Sequence, residues 1–224
     1  MKDSSLELKI RLVFGIFILS WSSIIVRWVG DVDALIIAFY RLAVSAVVLV
    51  PFALREKSGS GVRWKKITPL MLLAGFFLAL HFYSWITSLQ LTTVGNSIFL
   101  ESTHPAFALI LSVIFLKEKA PLSMLPALII GIAGMYITVF RDIQQNGAAL
   151  LGDGLALFSA FCIAVYLLIA RYLKMELPIL TYLCIVYGTA ASFILSLLVL
   201  KGIRFWDLPV NVWMLLMLLA VVRT

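Results

Sequence analysis

Charge is what this sequence has least of. Only 13% of the 224 residues are charged, about half the share of an ordinary soluble domain. A soluble fold is thereby excluded, because small globular domains remain mostly surface and need polar residues to cover it. Histidine and cysteine are equally sparse, at two each. Cys162 and Cys184 stand inside apolar blocks with no partner motif, so they read as small hydrophobes and not as a disulfide or metal pair. HExxH, GxSxG and an aspartate pair within an apolar block are all missing, which removes the usual signatures of a membrane-embedded hydrolase. A mid-block lysine is missing too, since Lys201 stands at a block end, and a seven-helix retinal protein would need one. No metal, cofactor or catalytic group is expected.

Apolar residues make up 63% of the chain and come in long runs. Blocks fall at about 10–28, 33–54, 68–90, 93–116, 122–140, 149–171, 178–200 and 208–222. Each of the first seven reaches the roughly 17–25 residues needed to cross a bilayer as a helix. A backbone facing lipid must satisfy its own hydrogen bonds, and strands of a β-barrel would alternate apolar and polar residues. The expected fold is therefore all-α, a polytopic bundle of transmembrane helices. Pro69, Pro121, Pro178 and Pro209 fall at the starts of blocks, where a missing N–H costs nothing.

The net charge of +7 marks topology and not nucleic-acid binding. Thirteen of the 18 basic residues lie in alternate connections that become cytoplasmic if the N-terminus is inside; Arg27, Arg141, Lys201 and Arg204 lie outside, and Arg41 is within a block. Such a bias sets the N-terminus in the cytoplasm. The expected location is a plasma or inner membrane, crossed many times, with the lipid bilayer and a small-molecule substrate as partners and a homodimer left open.

An internal repeat emerges at an offset of 144 residues: Phe14 matches Phe158, Phe17 matches Phe161, Ile25 matches Ile169 and Arg27 matches Arg171. Five blocks separate equivalent positions, so the two copies run in opposite directions through the membrane. Inverted repeats recur in transporters, with the substrate site near the midplane where the halves meet. The first copy covers 10–140; the second, 149–224, reaches about eight of ten helices, and the sequence is read as a truncated or partial second repeat.

Ionisable residues inside spans cost about 2.5–3.5 kcal/mol each at a helix centre, so each needs a reason. Arg41, His81 and Glu101 fall at one depth, with His104 a turn deeper. An Arg41–Glu101 ion pair is the natural expectation, either as a structural lock or as a substrate or proton site. Small and polar stripes accompany them at helical spacing: Ala38, Arg41 and Ser45; Ala74, His81, Trp85 and Ser88; Ser97, Glu101, His104 and Ala108; Gly152, Ala156, Ser159 and Tyr166. These faces should turn inward. Pro105 should free the carbonyl of residue 101 and kink the helix there. Ser97, Trp85 and Tyr166 complete the candidate lining, although aromatic residues in spans serve packing as readily. Glu118 should sit at the positive N-terminus of the fifth span, and Gly131 and Gly134 should let helices approach closely.

The stretch FLESTHPAFALILSVIFLKEKAPLSMLPALIIGIAGMYI, with FYRLAVSAVVLVPF before it and GDGLALFSAFCIAVYLLIARYL after it, resembles the EamA type of the drug/metabolite transporter superfamily. Pro105 falls at that family's mid-helix proline, Glu118 at its turn acid, and Gly131 and Gly134 at its glycines. The resemblance implies ten helices in two inverted five-helix repeats, the second here incomplete. The terminal LLAVVRT resembles a segment after which the family continues. It also implies a secondary transporter exporting a small metabolite such as an amino acid; a non-transporting partial carrier and a membrane-embedded enzyme are the alternatives.

The charge bias makes a topology prediction. A cysteine introduced at Ser58, in the longest basic connection, should react with a membrane-impermeant maleimide only when the cytoplasmic face is open. Labelling from the outer face of intact cells would reverse the assignment.

Overall fold

The computed structural model describes residues 21–56, 64–118, 125–145, 147–173 and 177–221. Phe14 and Phe17 of the repeat, the SGSG stretch at 58–61, Pro121 and residues 222–224 lie outside the described residues. Every regular element among those described is a helix: α1 (21–29), α2 (Ala34–Ala53), α3 (Trp64–Leu91), α4 (Val94–Glu101), α5 (His104–Leu116), α6 (Leu125–Gln145), α7 (Gly147–Leu173), α8 (Ile179–Leu200) and α9 (Val210–Val221). Among the described residues, five segments are long and apolar enough to cross a membrane, α4 and α5 counting together as one; α9 is a shorter apolar helix.

Helix ends show why the chain breaks where it does. Asp33 caps α2, its Oδ1 accepting from the Leu35 N–H at 2.8 Å, and the Thr93 hydroxyl accepts from the Asn96 N–H to start α4. At the end of α8, Gly202 turns left-handed (φ +65°). Its N–H bonds the carbonyl of Val199 and the next N–H, of Ile203, bonds that of Leu198. These two bonds form a Schellman motif, which satisfies carbonyls that the helix itself leaves open. Two expectations about prolines need correction. Pro69 lies inside α3, because that helix starts a turn earlier, at Trp64. Pro105 does not kink a continuous helix; the span is broken at Ser102 and Thr103, and Pro105 sits in the first turn of a new helix, α5.

The bundle forms around α3, which packs on α7 and α8 and also touches α2 and α4. α2 and α8 run antiparallel. Glu56, just past the end of α2, accepts from the N–H groups of Leu180 and Thr181 at the start of α8, while Tyr40 near the start of α2 donates to the Phe205 carbonyl beyond the end of α8. At an offset of 144, α2 corresponds to α8 and α3 to α9. The packing follows that exchange, since α3 meets α8 and α2 meets α9. Contacts between connections also sort into two ends. Arg27 bonds the carbonyls of Leu89 and Thr92, and Gln90 bonds that of Val32, at one end; Glu56 with α8, and Glu118 with Arg171, lie at the other. Alternate crossing of a bilayer requires that sorting.

Small residues set the closest approaches. A Cβ on Gly75 would collide with the side chain of Thr189, at the α3–α8 crossing, and one on Gly134 would come within 2.8 Å of the Phe99 ring. At Gly131 an added Cβ meets nothing within 4 Å among the described residues, so close approach on α6 belongs to Gly134 and not to Gly131. Substituting Gly75 with Val should cost about 1–3 kcal/mol by overpacking, read from unfolding in mixed detergent micelles. Gly131→Ala should stay within error; an equal loss at both positions would contradict this packing.

Candidate functional site

The inward turn of the polar stripes is visible on three helices. Ala38, Arg41 and Ser45 on α2 are buried, as are Ala74, His81, Trp85 and Ser88 on α3, and Gly152, Ala156, Ser159 and Tyr166 on α7. On the fourth stripe Ser97 is buried, but Glu101, His104 and Ala108 are only half-buried.

Arg41 is the centre of the arrangement. It is 2% exposed, and its guanidinium carbon lies 4.5 Å from the Phe82 ring centre and 5.2 Å from that of Trp85. A desolvated cation over an aromatic face gains up to about 2 kcal/mol, against an insertion cost of about 2.5–3.5 kcal/mol. The rings thus offset a large part of the cost. Arg41, Leu42, Ser45, Phe82 and Tyr187 line a tight crevice where α2, α3 and α8 meet. Ser45 also reaches the Ala220 carbonyl of α9 at 3.5 Å.

Trp85 joins Arg41 to His81, whose ring is parallel to the indole at 9° and 6.4 Å. His81 is in turn clipped to α7. Its Nδ1 lies 3.1 Å from the Ser159 carbonyl and 2.8 Å from the Ser159 hydroxyl, and that hydroxyl also lies 3.2 Å from the His81 carbonyl. A carbonyl only accepts, so Nδ1 carries the proton in this arrangement. His81 therefore ties two helices together beside the crevice. Ser97 does similar work between α3 and α4, accepting from Ser88 at 2.7 Å. Tyr166 is stacked on Tyr182 of α8 at 6.2 Å.

Arg41 and Glu101 are not brought together as an ion pair among the described residues. Glu101 closes α4, which packs on α7, α3 and α6, whereas α2 packs on α8, α9 and α3. The Glu101 carboxylate lies 3.7 Å from Nδ1 of His104, on its own turn. The broken helix around them is satisfied by side chains. Pro105 has no N–H to offer the carbonyl of residue 101, and His104 Nδ1 takes that place at 3.0 Å. Ser102 donates to the carbonyl of Ile98 at 2.7 Å and Thr103 to that of Leu100 at 2.6 Å. Glu118 does not rest on a helix N-terminus within the described residues. It forms a two-pronged ion pair with Arg171 at the end of α7, at 2.7 and 3.0 Å.

Two acidic residues escaped the sequence reading. Asp153 is 1% exposed, near the start of α7; it lies within the expected sixth span, and its position alone could have marked it as an intramembrane charge. Glu56 caps α8, whose own N-cap residue, Pro178, has no side-chain hydrogen bond to give. A helix start lacking a capping side chain was the available signal. No group of three or more His, Cys, Asp or Glu residues is placed to hold a metal among the described residues.

Compared with known proteins, the chain matches the model of the EamA-like transporter family over residues 10–140. One solved crystal structure superimposes on it with a TM-score of 0.62 at 15% identity, over 93% of this chain and 73% of that one, which is a likeness of fold. No curated protein matches it.

Removing the imidazole at the helix break should isolate its bonding role. His104→Leu should lower stability by about 1–2 kcal/mol through the stranded Glu101 carbonyl, and His104→Gln, which keeps a donor, should recover part of it. Unfolding in mixed micelles measures both; equal stability of all three proteins would refute the assignment.

Proposed function

The chain belongs to the EamA-like transporter family, and from that premise we propose that it is a secondary transporter exporting a small metabolite, such as an amino acid, by alternating access. The observation that carries the reading is Arg41: a buried guanidinium backed by Phe82 and Trp85, at the crevice where α2, α3 and α8 meet. Intramembrane ionisable residues are functional by default, and this one lies at the contact between helices of the two expected repeats. The antiparallel α2–α8 pairing and the exchanged contacts of α3 with α8 and α2 with α9 support two halves that rock about this point. The N-terminus is cytoplasmic on this reading.

Arg41 holds an anionic group of the substrate. The crevice is too tight to hold even a water molecule in this conformation, so the helices part to admit the substrate. His81 keeps Trp85 and α7 in register beside the site. Glu101 and His104, at 3.7 Å, exchange the coupling proton. The chain is a carrier on this account and not an enzyme.

Export from loaded proteoliposomes tests the reading. Arg41→Gln should lower the rate at least tenfold with monodispersity unchanged, and Arg41→Lys should fall between, since an ammonium keeps the charge but loses the fork. Wild-type rates in Arg41→Gln would remove Arg41 from the site. Under an imposed pH gradient Glu101→Gln should lose the gradient's effect; an unchanged response would end the coupling proposal.

A further inference from the structure

At the end of the bundle that carries Glu56, the sequence from 55 to 66 holds five cations, Arg55, Lys57, Arg63, Lys65 and Lys66, and a single carboxylate, Glu56. That carboxylate is engaged elsewhere. Its two oxygens accept from the N–H groups of Leu180 and Thr181 and from the Thr181 hydroxyl, at 2.8–3.3 Å. Its charge is spent on the positive end of α8 and not on its basic neighbours. Arg55, Lys65 and Lys66 are exposed. The two lysines also stand in the first turn of α3, which contains no acidic residue, so the helix dipole adds to their potential. Beside these cations the surface is apolar and outward-facing: Leu54 is 81% exposed, Phe52 50% and Trp64 44%. Exposed apolar side chains on a membrane-spanning helix face acyl chains, and an exposed tryptophan at a span end sits at headgroup level. Arg55, Lys65 and Lys66 therefore stand at the depth of lipid phosphates, with no acidic side chain of their own segment left to neutralise them.

We infer that Arg55, Lys65 and Lys66, with Trp64 as the interfacial anchor, form a binding site for the headgroups of anionic glycerophospholipids. A cluster of basic residues at the edge of a span attracts anionic lipid at each charge. The site joins the ends of α2 and α3, the helices that supply Arg41, Phe82 and Trp85, but it stands whether or not those residues carry substrate.

Native mass spectrometry of the detergent-solubilised chain tests it, with short-chain phosphatidylglycerol and phosphatidylcholine as probes. The wild type should bind phosphatidylglycerol at least tenfold more tightly. The preference should shrink several-fold between 50 and 500 mM salt, as screening requires. The triple variant Arg55→Gln, Lys65→Gln, Lys66→Gln should lose most of the preference, while Lys201→Gln with Arg204→Gln, at the opposite end, should keep it. Equal binding of the two lipids, or a preference indifferent to salt, would overturn the site on the wild type alone. Loss in the opposite-end variant as great as in the triple variant would overturn its location. Full displacement of the lipid by millimolar inorganic phosphate would show a free-anion site and overturn the lipid assignment.

Discussion

A backbone surrounded by lipid has no water to fall back on, and each interruption of a helix must find partners within the protein. The chain meets this demand at four described places by different local devices. After α8 it is the left-handed Gly202 with its paired N–H bonds. After α3 it is Arg27, whose guanidinium reaches the carbonyls of Leu89 and Thr92. Before α8 it is Glu56, borrowed from the end of α2. In the middle of a span, where no connection is at hand, three consecutive side chains, Ser102, Thr103 and His104, turn back on the carbonyls of Ile98, Leu100 and Glu101. Several of these devices are also tertiary contacts. Satisfying a helix end and joining two helices become one act, and the order of helices follows from which ends need help.

The same scarcity governs the buried cation. Helices in lipid gain nothing from burying apolar faces against each other, so association depends on close packing and on a few polar contacts. Gly75 against Thr189 and the buried alanines at 38, 74, 190 and 191 supply close packing along α2, α3 and α8. Arg41 interrupts that smooth interface, and its guanidinium rests on the faces of Phe82 and Trp85. Trp85 then carries the arrangement to His81, and His81 to Ser159 of α7. One charge thus recruits a chain of neighbours across three helices.

Much of this was legible in the sequence. The length of the apolar blocks placed the helices from α2 to α9 to within about five residues, because hydrophobic run length is fixed by bilayer thickness, and helical spacing singled out the faces of α2, α3 and α7 that prove buried. Spacing along the spans suggested one depth for Arg41 and Glu101, yet depth says nothing of which helices are neighbours, and α3 stands beside both α2 and α4. The helix break was missed for a related reason: Pro105 foretells a freed carbonyl, but only the pattern Ser102-Thr103-His104 shows that donors are present to hold the chain open. Gly131 and Gly134 are indistinguishable as letters; Phe99 on another helix distinguishes them. The uncapped start of α8 signalled a missing partner, but nothing in the sequence named Glu56, 124 residues away, as that partner.

Directional contacts and smooth contacts are distributed unevenly, and this bears on how two halves could move. Between α2 and α8, Glu56 bonds Thr181 at one end and Tyr40 bonds Phe205 at the other, and the Cys184 sulfur makes a long contact with the Ala46 carbonyl at 3.8 Å. The stretch between includes buried small side chains, among them Ala38, Ala190 and Ala191, and small smooth surfaces slide past one another at little cost. In the proposed cycle, motion about Arg41 would exchange hydrogen bonds at the ends of the bundle, while the centre keeps its packing. The barrier to rocking would then be set by contacts such as Glu118 with Arg171, half-exposed and worth about 1 kcal/mol or less, and not by the burial of Arg41 itself.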